Sequence, residues 1–216
     1  MKIVKASYII DCPEPPIEML RRIERYIRKC RKSEDRITDT SYVDLIKHTL
    51  SQNPKHESVL EHGIVSVEFI TDRGVTHEMV RHRIAAYTQE STRYCNYNKG
   101  KFGNEITVID IEKHFKNPLS LKVWTDAMGH AEEAYIELIR LGESPQIARS
   151  VLPNSLKTDI AVTYNLREWR HVFNVRADTP AHPQMRELMV PLLQDFKDLI
   201  PVVFDDITCH GGGDNV

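Results

Sequence analysis

The sequence has few of the features that mark secreted, membrane-spanning or zinc-stabilised proteins. Its four cysteines lie at positions 12, 30, 95 and 209, and no two of them form a Cys-x-x-Cys pair. This scatter argues against a disulfide framework and against a zinc knuckle. No apolar run approaches the roughly 18 residues that a membrane span needs, and the N-terminus is too short and too alternating for a signal peptide. We therefore expect a cytoplasmic protein that has no membrane partner.

An excess of charge of one sign is also missing. The 216 residues include 29 Lys and Arg against 31 Asp and Glu, so the net charge is −2. A protein that coats nucleic acid is usually far more basic, and no nucleic-acid partner is expected here. The chain instead has an ordinary globular composition, with 41% hydrophobic and 28% charged residues. Its length suits one large domain or two small ones.

Several familiar catalytic motifs are absent. The sequence contains no GxGxxG, no GxxxxGK[ST] and no GxSxG pattern. His77 and His82 are five residues apart, which places them about 140° apart on a helix rather than on one zinc-binding face. His56 and His62 miss the same spacing. A metal-dependent hydrolase built from these four histidines is therefore the weakest hypothesis, and we expect no metal.

Hydrophobic periodicity predicts a mixed chain of helices and strands with no linker or internal repeat. Predicted strands cover Met1–Ile10, Ile64–Thr71 and Asp159–Tyr164. Helices are predicted from Pro16 to Cys30, over Tyr42–Leu50, Val75–Ile84 and Pro118–Leu141, after Pro145, from Asn165 to Arg176, and over Ala181–Leu199. The pattern favours a single α+β domain over residues 1–216, with a frayed tail from about residue 205.

Two of the predicted helices carry an arginine within their apolar arc. At 100° per residue, Arg83 falls on the apolar side of its helix, and Arg176 falls between Val172 and Phe173. A guanidinium that faces a core costs roughly several kcal/mol unless it is paired. For Arg176, a structural partner such as Asp178 and a bound ligand are both open interpretations.

The segment from Tyr87 to Tyr94 has no helical spacing. If it is extended, Gln89, Ser91 and Arg93 point to one side at steps of about 6.6–7 Å. An amide, a hydroxyl and a guanidinium in one row would hold a phosphate or a carboxylate. The alternative interpretation is a polar edge strand.

A recognisable signature follows from these same residues. Arg81-His82-Arg83 is followed by seven residues and then Ser91, and this RHR-x7-S pattern resembles the signature of flavin-dependent thymidylate synthases. Further ordered segments that resemble the family are His56–His62, Ile147–Pro153, Asn165–Arg167 and Asn174–Asp178. The resemblance implies an α+β fold with a small, mostly antiparallel sheet packed by several helices. It also implies a homotetramer with shared active sites.

The resemblance further implies an enzyme that binds FAD and methylates dUMP to dTMP, with methylenetetrahydrofolate as carbon donor and NADPH as reductant. By matching position, the residues that would contact FAD are Ser58, Arg81, His82, Arg83, Gln89, Asn165, Leu166, Arg167 and His171. Those that would contact dUMP are Glu78, Met79, Val80, Arg81, Gln89, Glu90, Ser91, Thr92, Arg93, Arg149 and Arg176. Arg176 would also be catalytic, because its counterpart in the family helps to ionise N3 of the uracil ring.

Some positions depart from the commoner family pattern. Ala86, Thr88 and Gln89 stand where many members have Ser, Asn and Glu, and Glu78 stands where many have Gln. Gln89 cannot supply a carboxylate, although its amide can still form hydrogen bonds. Because reduced flavin would deliver the hydride, no cysteine nucleophile is required. The alternative function is a non-catalytic protein that binds or senses a nucleotide with the same phosphate site.

Overall fold

The computed structural model describes residues 1–98, 100 and 103–209, in which the chain forms seven α-helices and six β-strands. The helices are α1 (Pro16–Arg31), α2 (Ser41–Ser51), α3 (Arg73–Met79), α4 (Pro118–Arg140), α5 (Pro145–Ala148), α6 (Leu166–Arg176) and α7 (Pro183–Leu199). The strands are β1 (Lys2–Val4), β2 (Ser7–Asp11), β3 (Ile64–Asp72), β4 (Ala85–Gln89), β5 (Thr107–Ile109) and β6 (Lys157–Asn165). Among the described residues, no helix is both long and apolar enough to cross a membrane.

The strands form two sheets, and the α+β class with a small sheet is confirmed. Four strands lie in the order β2-β3-β6-β4, while β1 pairs with β5 in a separate parallel ribbon that places Ile3 opposite Val108. The prediction of one strand over Met1–Ile10 is wrong. Residues 5 and 6 belong to no strand, and this interruption lets β1 and β2 pair in different sheets.

Several helix ends follow the local sequence closely. α4 begins after Asn117, whose side-chain oxygen accepts a hydrogen bond from the backbone N–H of Leu119 at 2.9 Å. The helix ends just before Gly142, which has a φ of +96°. Glycine adopts this left-handed conformation without the strain that a Cβ would add, so it ends the helix as predicted.

The helix predicted over Val75–Ile84 is shorter and begins earlier. Asp72 caps α3 by accepting a hydrogen bond from Val75 N–H at 2.8 Å, and the helix ends at Met79. Residues 85–89 belong to β4, so the chain must leave the helix in time to reach the sheet. The placement of Arg83 in an apolar helical arc is therefore wrong, and its side chain is exposed.

The described chain packs into two compact units. The first comprises Met1–Ser7, Phe69–Arg81 and Tyr87–Ala161. Its core is built around the buried side chains of Tyr97, Ile106, Val108, Met128, Tyr135, Ala148 and Leu156. α4 contributes two of these residues, and the partly buried Trp124 packs against the cluster.

The second unit comprises Tyr8–Glu68, His82–Ala86 and the described residues from Val162 onward. Its core holds four aromatic rings whose neighbouring centroids lie 4.9 to 5.6 Å apart, namely Trp169, Phe173, Phe196 and Phe204. Each of these four side chains is almost completely buried. Because each unit has its own core, a single domain over 1–216 stays a prediction.

The frayed tail from about residue 205 stays a prediction. Near its start, Ile207 is buried, and its carbonyl accepts a hydrogen bond from Lys197 at 2.7 Å. The rest of the predicted tail, 210–216, lies outside the described residues.

Candidate functional site

The predicted site residues divide between the two units. Nearly all of those predicted to contact the nucleotide belong to the first unit: Glu78, Met79, Val80, Arg81, Gln89, Glu90, Ser91, Thr92, Arg93 and Arg149. Most of those predicted to contact the flavin, together with Arg176, belong to the second: Ser58, His82, Arg83, Asn165, Leu166, Arg167 and His171.

In the first unit, two exposed arginines lie next to the buried Thr92, Arg149 by a direct contact and Arg93 as the next residue in the chain. Arg149 follows α5 and donates a hydrogen bond from its guanidinium to the Thr92 hydroxyl at 3.3 Å. Arg93 is exposed, and its guanidinium lies 5.6 Å from the centre of the Tyr94 ring. In the part of the chain that the structure describes, neither arginine has a carboxylate partner. The two guanidinium groups are therefore available to an anion.

The predicted row of Gln89, Ser91 and Arg93 on an extended strand is wrong. β4 ends at Gln89, and the chain then turns, because the carbonyl of Ser91 accepts hydrogen bonds from Tyr94 N–H and Cys95 N–H. The Ser91 hydroxyl accepts a further bond from Arg93 N–H at 3.3 Å. The turn still keeps a hydroxyl close to the backbone of Arg93.

The side chain of Gln89 is held by hydrogen bonds to two threonines. Its amide nitrogen donates to the hydroxyl of Thr76 at 2.9 Å and to that of Thr158 at 3.3 Å. Both amide protons are thus used within the unit, and the side-chain oxygen is the part that can accept a further hydrogen bond. A glutamate here could not donate these bonds, so the departure from the family pattern matches its surroundings.

The Glu90 carboxylate belongs to an ionic network rather than to an open surface. It accepts hydrogen bonds from Tyr97 Oη at 2.9 Å and from Lys157 Nζ at 3.2 Å, and Lys157 also contacts Asp159. Burial and the charge of Glu90 raise the pKa of Tyr97 above its usual range. The network lines a cavity of about 560 Å³ that also contains Cys95. Sequence reasoning did not find this network, because its members are distant along the chain.

The residues between α3 and the RHR segment adopt a turn. Arg81 N–H donates to the Glu78 carbonyl at 3.3 Å, and Tyr87 Oη donates to the Met79 carbonyl at 2.6 Å. The Val80 side chain is 42% exposed. Arg81 is exposed and has no carboxylate partner among the described residues, so it presents a third available cation in this unit.

In the second unit, α6 and the turn over Glu57–His62 line a cavity of about 440 Å³. Its lining includes three predicted flavin residues, Asn165, Arg167 and His171. Arg167 is exposed and pairs with the carboxylate of Glu61 at 2.5 Å. The volume lies within the range of about 300–1,000 Å³ that is typical of small-molecule sites.

Three of the residues predicted to contact flavin, at or near the start of α6, differ in what they could offer a ligand. Asn165 caps the helix by accepting a hydrogen bond from Glu168 N–H at 2.8 Å, as predicted. The Leu166 side chain is fully buried, so only its backbone could meet a ligand. Ser58 is exposed on the turn over Glu57–His62.

Gly63 brings that turn directly against the start of α6. Its carbonyl accepts a hydrogen bond from Leu166 N–H at 2.9 Å. A Cβ at this position would lie 2.7 Å from Leu166 Cδ1 and 2.9 Å from Met19 Sδ, which is closer than real Cβ contacts. The close approach therefore requires glycine.

His82 and Arg176, which are distant in sequence, meet in this unit. Arg176 Nε donates a hydrogen bond to His82 Nε2 at 3.1 Å, and His82 Nδ1 lies 3.4 Å from Glu168 Oε1. Burial, assisted by the charges of Arg176 and His171, lowers the pKa of His82 to about 4. The imidazole is therefore neutral near pH 7.

Sequence reasoning placed Arg170 on the polar side of α6, and this is wrong. Its side chain is 3% exposed, and it pairs with Asp206 at 2.6 Å and with Glu57 at 3.0 Å. It also donates to the carbonyl of Val203. The segment 203–206 folds over that side of the helix, and nothing in the local sequence indicates it.

The side chains of His82, Glu168 and His171 could geometrically hold a metal ion, because their ligand atoms lie within 4.8 Å of one another. His82 Nε2 already accepts a hydrogen bond from a cation, Arg176, whose positive charge opposes a second cation. The absence of a metal stays a prediction.

Known proteins resemble this chain along most of its length. A family model described as "Thymidylate synthase complementing protein" matches residues 17–202. The chain is 34% identical over 201 residues to the flavin-dependent thymidylate synthase of Mycolicibacterium vanbaalenii, a match that covers 83% of this chain and 76% of that protein. It is 39% identical over 153 residues to the one from Pyrococcus horikoshii, covering 68% of this chain and 62% of that protein.

A solved structure shows the same fold. The UMP/dUMP methylase PolB from Streptomyces cacaoi, determined with 5-Br dUMP bound, superposes with a TM-score of 0.76 and 20% identity. The match covers 95% of this chain and 96% of that one. At this identity, the similarity establishes the fold.

Proposed function

The chain belongs to the flavin-dependent thymidylate synthase family, and we propose that it converts dUMP to dTMP by flavin-dependent reductive methylation. The observation that carries the proposal is the pair Arg93 and Arg149 beside Thr92, two arginines without a carboxylate partner in the described chain. A nucleoside monophosphate presents the dianion that such a pair recognises.

The phosphate of dUMP would lie against this pair. The hydroxyls of Ser91 and Thr92 lie on the same turn, and each accepts one hydrogen bond here and can donate another. The remaining predicted nucleotide residues, Glu78 to Arg81 and Gln89, lie in the same unit. The Glu90 carboxylate faces its own ionic network, so we assign Glu90 a supporting position on the turn rather than a direct bond from its side chain.

The cavity beside α6 fits part of an FAD molecule. Arg167 can exchange its exposed carboxylate partner for a flavin group, and the exposed His171 lies on the same helix face. Ser58, Arg81, His82, Arg83, Gln89, Asn165 and Leu166 complete the predicted contacts. When bound and reduced, the flavin supplies the hydride.

Arg176 would act on the uracil ring. Its guanidinium is partly buried and is oriented by His82, so its charge is fixed in place before a ligand arrives. A preorganised cation stabilises an anionic pyrimidine because it needs no reorientation as charge develops. This role accounts for a cation on an otherwise apolar helix face.

We further propose that the protein is cytoplasmic and works as a homotetramer with shared sites, taking methylenetetrahydrofolate as carbon donor and NADPH as reductant. The exposed apolar face of α4 supports an assembly, since Leu119 is 70% and Val123 69% exposed at an i, i+4 spacing.

The test is flavin binding followed by turnover. Purified protein should be yellow or should take up FAD in a titration, and it should form dTMP from dUMP, methylenetetrahydrofolate and NADPH. Addition of EDTA should leave that rate unchanged.

The alternative function, a non-catalytic nucleotide-binding protein, makes a different prediction. Such a protein would bind dUMP but would remain colourless and would form no dTMP. That result would overturn the proposed function, and loss of activity with EDTA would instead indicate a metal enzyme.

A further inference from the structure

His82 is held by a different side chain at each ring nitrogen. Its Nε2 accepts a hydrogen bond from Arg176 Nε at 3.1 Å, and its Nδ1 lies 3.4 Å from Glu168 Oε1. A guanidinium can only donate hydrogen bonds, so Nε2 must carry a lone pair. The proton of the neutral ring therefore sits on Nδ1, facing the carboxylate.

The start of α6 places Glu168 at this position. Its backbone N–H donates to the capping side chain of Asn165 at 2.8 Å. A glutamate three residues after the cap often turns back to the backbone N–H of the capping residue. Here its Oε1 lies beside His82 instead, and the side chain is only 10% exposed. In this largely buried position, the carboxylate oxygen faces the Nδ1 side of the imidazole.

Two aromatic side chains also pack around the ring of His82. The ring centroid of His171 lies 5.5 Å away and that of Tyr164 lies 6.4 Å away, both in edge-on arrangements. At the two ring nitrogens, Arg176 donates to a lone pair on Nε2 and a carboxylate oxygen of Glu168 faces Nδ1. Both contacts therefore favour the same tautomer, with the proton on Nδ1.

We propose that Glu168 is a positioning residue that holds His82 in the Nδ1–H tautomer and thereby orients the Arg176 guanidinium. Glu168 also lines the cavity beside α6, but in this scheme it acts through His82 rather than on a reacting atom. The link to catalysis rests on the proposed function, in which Arg176 acts on the uracil ring. The link between Glu168 and the His82 tautomer does not depend on the proposed function.

The test replaces the carboxylate by its neutral isostere, Glu168→Gln. The amide can turn its N–H₂ group toward Nδ1, which favours the Nε2–H tautomer, and that form cannot accept a bond from Arg176. Nitrogen-15 NMR of histidine-labelled protein reports the tautomer directly, with the His82 signal assigned by its loss in His82→Gln. We expect Nε2 to change from unprotonated to protonated.

The kinetic expectation separates positioning from binding. kcat should fall about tenfold or more, while the Kd for FAD and the KM for dUMP stay within about threefold of the parent values. Glu168→Asp keeps the carboxylate and should keep the parent tautomer, with an intermediate kcat. Glu18→Gln, which removes an exposed carboxylate on α1, is the matched control and should change nothing.

Each outcome decides the inference. An unchanged His82 tautomer in Glu168→Gln overturns it, even if kcat falls. If Glu168→Gln does not fold, a Glu168→Asp protein that adopts the Nε2–H tautomer overturns it instead. If the parent forms no dTMP, the proposed function fails while the NMR result still decides the role of Glu168.

Discussion

Removing the buried Arg170 guanidinium should destabilise the second unit strongly. In Arg170→Met, the side chain keeps similar length but loses its bonds to Asp206, to Glu57 and to the Val203 carbonyl. Removing one member of a buried ion pair typically costs about 3–5 kcal/mol. The carboxylates left behind are 42% and 24% exposed and can be hydrated, so we expect the lower limit, about 3 kcal/mol.

For a chain of this size, each kcal/mol shifts the melting temperature by about 2–4 °C, so Arg170→Met should melt about 6–12 °C below the parent. Urea unfolding at constant m-value measures the same loss as a free energy. The matched control is Arg140→Met on α4, because Arg140 also pairs with a carboxylate, Glu137, but is exposed. That variant should unfold like the parent.

A double-mutant cycle with Asp206→Asn tests the cause of the loss. If Arg170 and Asp206 stabilise the fold through each other, the double variant should be clearly more stable than the sum of the two single effects indicates. Equal unfolding midpoints for Arg170→Met and Arg140→Met would refute the reasoning, as would strictly additive effects of the two substitutions at the pair.

Three further outcomes are expected. The free energy of unfolding should fall as pH decreases from about 6.5 to about 4, because the pKa of His82 is lowered to about 4 in the folded protein and the unfolded chain binds a proton there first. His82→Gln should lack that part of the pH dependence. An equal pH dependence in the two proteins would contradict the buried neutral ring. Arg176→Ala should lose about 10²–10³ in kcat with flavin still bound, whereas Cys95→Ser should stay within about several-fold of the parent; an inactive Cys95→Ser protein that folds and holds FAD would argue for a thiol nucleophile. Val123→Glu should dissociate the assembly in sedimentation velocity, since a charge would replace an exposed apolar side chain on α4, and an unchanged sedimentation coefficient would place the interface elsewhere.

Local signals predicted most of the helices and strands. α4 carries a capping Asn117 and a terminating Gly142, and β3 shows a clear alternation of buried and exposed residues, so both were found nearly to their ends. The errors arose where pairing decided the outcome. The N-terminal ten residues alternate throughout, yet β1 and β2 join different sheets. Strand pairing is non-local, and periodicity within one segment cannot reveal it.

The site shows the same division between local and distant causes. The RHR segment could be identified by its resemblance to the family signature, Asn165 by its capping position and Arg176 by its angle on the helix. The partner of Arg176 could not, because His82 lies 94 residues earlier in the chain. Arg170 was assigned to the polar side of its helix, since helical angles say nothing about a later segment that covers that side. The Asn-x-x-Glu spacing at Asn165 and Glu168 was available as a capping signal, but it gives no indication that the carboxylate faces a histidine.

The close approach at Gly63 has a consequence for how the sequences of related proteins can vary. A methyl group there would lie too close to Leu166 and Met19, and because both of those side chains are completely buried, either could shift only by disturbing the core around it. The three positions should therefore co-vary across homologues. A residue larger than glycine at position 63 should occur together with a smaller residue at 166 or 19, and a single Gly63→Ala change should be rarer than the paired substitution.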